Sequence, residues 1–474
     1  MSGRGLVVIE ANEIPPRVIR WYADQNPDSA FAGLLGEGTF IETVNRDEPD
    51  LEGRELYPSQ AWATVGTGVG FAQHQVYWYG DPKPSQFPFY WQLAAHGGKR
   101  VGIVGTLHSS PFAERAADGN IVFAIPDCFA QDAGTRPARY RRFQNVNLSM
   151  TRGSGRVVSA RPSARDLITL ATTPSLGVRV QSLVEMSKLV SGVATRRVPR
   201  ERVRAAQFLL LRDMFRHLVR AHDPDLAVFF TNHVAAAMHR YWFALFPNDW
   251  DQPMYDAEWL ARHRNEIVYA MDLLDRTVAD LMDLCDRTGR VLVLCTAIGQ
   301  RAATSLGSAE PEVAVVRDPG KFIDALGTPG DYEIVSGMVP QIGVSFVDEE
   351  SATQAAIYLS GLVLDGVTCR VDRAAHVVTV SYHVEPGVRS FTVADRRVGL
   401  AEAGVRMEKT DLQRGAEHDQ VGSLIVHGAD PVTTGARVDA RSIAPALLEL
   451  LGLEPPLWHE VRDLRLRDRQ LVTQ

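Results

Sequence analysis

Residues 291 to 300 read Val-Leu-Val-Leu-Cys-Thr-Ala-Ile-Gly-Gln, an apolar run of strand length that stops abruptly in small and polar residues. Continuity without alternation predicts a strand buried on both faces of a parallel sheet, with ligands collecting beyond its carboxyl end. Shorter runs of the same texture predict further strands at Leu6 to Ile9, Val101 to Gly105, Ile121 to Ile125, Leu226 to Phe230 and Gly422 to His427. Between them, 3.6-residue periodicity predicts helices over Glu201 to His222 and Asp256 to Arg287, and a last helix over Ser442 to Leu451 with a Ser cap and Pro445 in its first turn. Recurring βα units make this an α/β protein with a mostly parallel central sheet between helices. After Gln300 the texture changes. Ile342 to Val347, Glu350 to Leu362, Val367 to Arg373 and Val377 to His383 read strand, helix, strand, strand, which predicts a small α+β cap of ferredoxin-like type. The expected domains are therefore a core of residues 1–300 and 416–474, with a helical insertion at about 130–200, and a cap of 301–415.

The ends of these strands carry the candidate chemistry. Leu6 to Ile9 runs into Glu10, Asn12 and Glu13 before Pro15 and Pro16, so these polar groups face a ligand or cap the helix that Pro16 starts. Asn232 and His233 follow another strand, and Gln300 follows the central one. Tyr57 to Gly70 is a Pro-started segment of small residues interrupted by Trp62, suited to close packing beneath a ligand. Ala297 and Ile298, by contrast, place no ionisable group where this architecture usually keeps its chemistry.

Composition narrows the partners. In 474 residues, 45% hydrophobic and 23% charged side chains describe a soluble globular protein. A net charge of -7, with only short basic clusters at Arg136 to Arg142 and Arg196 to Arg204, argues against a nucleic-acid partner. Cys128, Cys285, Cys295 and Cys369 form neither a CxxC pair nor a disulfide framework, which fits a reducing compartment. The amino terminus runs straight into a strand, and no stretch is apolar enough to span a bilayer, so the cytoplasm is the expected location and no membrane partner is expected.

Four stretches together resemble the alkaline phosphatase superfamily, and within it the type I phosphodiesterase and nucleotide pyrophosphatase branch. They are Val7 to Glu13; Pro58-Ser59-Gln60-Ala61 running to Thr67-Gly68 and His74; His239-Arg240-Tyr241-Trp242; and Glu417-His418-Asp419 with Val421 to Gly428 and Ile443 to Leu448. The resemblance implies an alkaline-phosphatase-like core and a pair of zinc-like ions that activate a Ser or Thr nucleophile. Residue by residue, most of that machinery is replaced. The nucleophile falls on Ala61, the strand-end Asp on Asn12, the Asp-His pair on Ala297 and Ile298, and a further Asp on Ala235. Ser59 and Thr64 are the nearest hydroxyls, and only His239 and His418 remain as aligned ligands, with His233 and Glu10 or Glu13 as displaced substitutes. No cofactor, or at most one weakly bound divalent metal, is expected.

The expected catalytic residues are His239, His418 and Glu13, with Glu10, Asn12, Trp62, Thr64, Asn232, His233 and Gln300 binding substrate. The function implied is a metal-independent or weakly metal-dependent hydrolase or transferase acting on a small phosphate-, sulfate- or sugar-containing substrate. The alternative is a non-catalytic binding or scaffolding protein. Trp62, Tyr77, Trp78, Tyr79, Tyr241 and Trp242 either face a ring-bearing substrate or belong to the core.

Overall fold

The computed structural model describes residues 4–46, 56–77, 79, 81, 86–130, 132–152, 169, 172–252, 254–303, 312–335, 341–374, 376–385, 387–393, 395–409 and 415–468. The apolar runs form an eight-stranded sheet. In chain order its strands are β1 (Leu6–Ala11), β2 (Phe40–Val44), β3 (Val101–Val104), β4 (Ile121–Ile125), β5 (Leu226–Thr231) and β6 (Val291–Cys295). A short strand outside this sheet follows, β7 (Gly299–Ala302), which pairs with β8 (Ala416–Asp419). The sheet is completed by β9 (Val421–His427) and β10 (Arg437–Asp439), in the spatial order β10-β2-β9-β6-β1-β5-β3-β4. Every pairing is parallel except those of β9, which runs against both β2 and β6. The central strands β1, β5 and β6 are buried along their whole length, as their unbroken apolar sequences require.

Helices cover both faces. On one side α1 (Pro16–Gln25), α3 (Ala205–His222), α4 (His233–Leu245) and α5 (Glu266–Thr288) pack on Val7, Ile9 and Ala11. On the other, α2 (Pro58–Thr67) and α6 (Ile443–Leu450) pack on Leu6 and Val8. Each fully buried Val, Leu or Phe here contributes about 1.5–3 kcal/mol of transfer free energy, so the two faces hold the sheet as a rigid plate. Two details differ from the sequence reading. The helix expected from Asp256 is split, with Asp256 capping Ala257–His263 and α5 starting afresh at Glu266. Before α6, Asp439 rather than Ser442 accepts the capping hydrogen bond, from the Arg441 N–H. Of the segment 130–200, Arg141–Arg152 and Val180–Ala194 are helical, while 153–168 lies outside the described residues.

The described residues between 312 and 409 build a hydrophobic core of their own around Phe322, Val344, Val380 and Phe391. Four antiparallel strands run there in the order Val367–Ala374, Val377–Val384, Gln341–Phe346, Tyr332–Val335. With helices Pro319–Ala325 and Glu349–Ser360, this is a ferredoxin-like layout in permuted order: the strand that normally opens the motif, Val377–Val384, comes last. The chain leaves and re-enters the larger unit side by side, because Ala302 on β7 is paired with Ala416 on β8.

Candidate active site

Glu13 is the hinge of the site. β1 ends at Ala11, and Pro15 and Pro16 start α1 four residues on. The reversal is made by Glu13 in a left-handed conformation, φ 58°. A non-glycine side chain held there is strained and persists where surrounding contacts fix it. Those contacts are specific. Asn12 Nδ2 donates to Glu13 Oε1 at 2.6 Å and to Asn232 Oδ1 at 2.8 Å, while Trp62 Nε1 donates to Asn12 Oδ1 at 2.8 Å. Gln300 Nε2 donates to Glu13 Oε2 and to the Ala235 carbonyl. Pro15 caps α1 without a side-chain bond, so Asn12 and Glu13 do not serve as its caps.

Two imidazoles converge on the same carboxylate. His239, on α4, places Nε2 2.9 Å from Glu13 Oε2, and His418, on β8, places Nε2 3.5 Å from it. His239 Nδ1 lies 3.0 Å from the Ala416 carbonyl and donates to it, which fixes Nε2 toward Glu13. Antiparallel pairing of β7 with β8 sets Gln300 directly opposite His418, so one two-stranded ribbon supplies two of the groups around Glu13. Gly299 lets that ribbon approach, since a Cβ there would fall 2.2 Å from the Val421 carbonyl oxygen and 3.0 Å from Pro15. Burial alone would raise the Glu13 carboxyl. The charges of His418 and His239, with hydrogen bonds from His239 and Gln300, outweigh it and hold the group down at about 2. One ligand atom from each of Glu13, His239 and His418 lies within 4.8 Å of the others. Their side chains are 3%, 26% and 7% exposed, so the cluster opens to solvent on the His239 side.

This donor set fits one divalent ion. Two imidazoles and a carboxylate are the minimum of a catalytic site, and the Nδ1 bond to a carbonyl and the amides on Glu13 are the outer contacts such ligands usually carry. It does not fit two ions. At positions 12, 61, 297 and 298 the resemblance would need ionisable or nucleophilic side chains, and Asn12, Ala61, Ala297 and Ile298 supply none.

Other expected residues lie elsewhere. Glu10 is buried three residues upstream, accepting a 2.9 Å bond from Tyr90 Oη, and burial raises its carboxyl to about 8 despite that bond. His233 donates through Nε2 to the Ala270 carbonyl at 3.0 Å, accepts from Thr231 at 2.7 Å and stacks on Phe208; burial pushes it down to about 3. It is a neutral packing residue. Thr64 donates to the Gln60 carbonyl and accepts from His74, whose Nδ1 already accepts from Val76 N–H. His74 therefore donates to Thr64 and cannot take its proton. The Ser59 hydroxyl donates to the Tyr77 carbonyl. Among the aromatics, Trp62, Tyr77, Tyr241 and Trp242 are core residues, Tyr79 stacks on Phe129, and Trp78 lies outside the described residues. Tyr57, which sets its ring edge against His418, and the Ala416 carbonyl were not anticipated; a backbone carbonyl leaves no trace in side-chain pattern.

The fold and cluster define a mixed α/β protein with a carboxylate and two imidazoles at the carboxyl end of a mostly parallel sheet. Solved structures similar to it are the murine ectonucleotide pyrophosphatase/phosphodiesterase 5 (11% identity, 98% of this chain and 100% of that one, TM-score 0.40), the phosphonoacetate hydrolase of Sinorhizobium meliloti 1021 (13%, 90% and 90%, 0.37) and the alkaline phosphatase PafA (11%, 98% and 98%, 0.44). All three are alkaline-phosphatase-superfamily proteins. Likeness of this size says nothing about what the chain does. No family model and no curated protein sequence matches the chain.

Proposed function

We propose that this protein is a hydrolase or transferase for a small phosphate-, sulfate- or sugar-containing substrate, and that it works with one weakly bound divalent ion, held by Glu13, His239 and His418. The observation that carries the reading is the convergence of those three side chains, from the turn after β1, from α4 and from β8, on one partly open point. Held there, a divalent ion would supply Lewis acidity toward an ester oxygen and toward water. The chain's own residues do the rest. Asn12 and Gln300 hold the Glu13 carboxylate from both oxygens, and the Ala416 carbonyl holds the His239 tautomer. Asn232, exposed at the start of α4 and tied to Asn12, is placed to hydrogen-bond a substrate oxygen. The attacking group is water or a second substrate's hydroxyl, since Ala61 has no nucleophile and the Ser59 and Thr64 hydroxyls are engaged in helix and loop bonds.

The same loss of a nucleophile favours the second reading, a non-catalytic binding or scaffolding protein. Nitrophenyl phosphate, bis-nitrophenyl phosphate, nitrophenyl sulfate and a set of sugar phosphates, assayed with Zn²⁺, with Mn²⁺ and with chelator, separate the two. Turnover of one class that falls at least about 100-fold in His239→Gln supports catalysis. Absence of turnover across the panel, with any substrate binding equal in wild type and variant, supports the scaffold.

A further inference from the structure

Beside Gln300, on the outer side of α1, lies a groove of ≈ 710 Å³ that the cluster chemistry does not use. Arg17, Arg20, Arg301 and Arg437 stand along it, with Trp21 and Phe246 among its walls. Arg17 is fixed in orientation by a two-pronged bond to Asp249, at 2.7 and 2.8 Å, and its guanidinium lies 4.0 Å above the Phe246 ring. One flat face of that cation is covered by Phe246, and the side chain is still 52% exposed. Arg20 and Arg437 grip the two oxygens of one carboxylate, Glu42, at 2.8 and 2.9 Å. The two arginine side chains are 52% and 55% exposed and that of Glu42 only 18%, so this trio faces outward with one positive charge in excess. Asp24 and Asp419 also line the groove; Asp419 accepts from the Val421 N–H, and Arg301 is neutralised by Glu417 at 2.9 Å, so the cations left to a ligand are those of the Arg20–Glu42–Arg437 trio and the outer face of Arg17.

We propose that this groove binds a small organic anion carrying a flat ring. The ring stacks on the open face of Arg17, continuing the Phe246 stack, and the anionic group meets Arg20 and Arg437. A volume of ≈ 710 Å³ suits a ligand of that size. The inference rests on the groove alone and not on the reading of the Glu13 cluster.

Isothermal titration with phenylphosphonate tests it, beside benzyl alcohol, sulfate and benzylamine. The expected result is one saturable site for phenylphosphonate, weakened at least about tenfold in the Arg20→Gln, Arg437→Gln double variant and unchanged in His239→Gln. Should the double variant fail to fold, Arg17→Lys, which keeps the charge but loses the flat face, is expected to weaken phenylphosphonate and leave sulfate as it was. No saturable heat, tighter binding of benzylamine, undiminished binding in a folded variant, or loss of binding in His239→Gln would each overturn the proposal.

Discussion

Glu10 and Glu13 lie three residues apart at the end of one strand, and the fold gives them opposite fates. Glu10 sits inside β1, beside Phe230 and Cys295 in register, and meets one hydroxyl, that of Tyr90. Glu13 sits in the turn beyond and meets two imidazoles and two amides brought from β7, β8, α4 and its own neighbour. Both are almost fully buried, at 4% and 2% exposure, yet one carboxyl is pushed up to about 8 and the other held at about 2. Burial is common to both. What separates them is the number of positive and donating groups that distant segments deliver, and that makes one a buried neutral acid and the other the anchor of a site.

The sharpest way to break this contrast is through pH. A carboxyl raised from 4.5 in the unfolded chain to about 8 in the folded one keeps its proton when folded and loses it when unfolded. Its contribution to stability is full below about 4.5 and drains away as pH rises toward 8, at about 1.4 kcal/mol per pH unit. Urea unfolding should show wild type losing on the order of 4 kcal/mol relative to Glu10→Gln between pH 5 and pH 8. Parallel stability profiles of the two proteins would mean that Glu10 is solvated or paired.

Next in size are the histidines. His239→Gln and His418→Gln are expected to lower turnover at least about 100-fold, with little change in melting temperature. His233→Gln should do the reverse, since it disturbs a packed, neutral ring bonded to Thr231 and Ala270: a lower melting temperature, and unchanged activity per folded molecule. If both kinds of variant lose activity alike, the division into site and core histidines fails.

Gln300→Ala comes third. It removes a donor to Glu13 without touching a ligand, and metal affinity should fall about tenfold, the lower end for such an outer contact. The smallest effect is expected of Ser59→Ala, for which turnover should stay within about twofold of wild type. A large loss there would restore α2 as the source of a nucleophile.

Much of this architecture is legible in residue pattern. Buried parallel strands have to be continuously apolar; Ile121–Ile125 reads that way to the residue, and Val291–Cys295 forms the first half of the run 291 to 300. The strand, helix, strand, strand order at Gln341–Val384 is visible for the same kind of reason. What pattern does not reveal is β7. Gly-Gln-Arg-Ala is too short and too polar to signal a strand, yet its pairing with β8 is what brings Gln300 to His418 and both to Glu13. The roles of Glu10 and His233 were equally hidden, because a polar residue at a strand end looks the same in sequence whether its partners are a site or a core.

Glu13, His239 and His418 are proposed to hold a single divalent ion. Equilibrium dialysis of chelator-stripped protein against micromolar Zn²⁺ or Mn²⁺, followed by elemental analysis, tests it directly. About one ion per chain is expected in wild type and none above background in Glu13→Gln or His418→Gln. Two ions per chain, or none, or one that survives both substitutions, would contradict it.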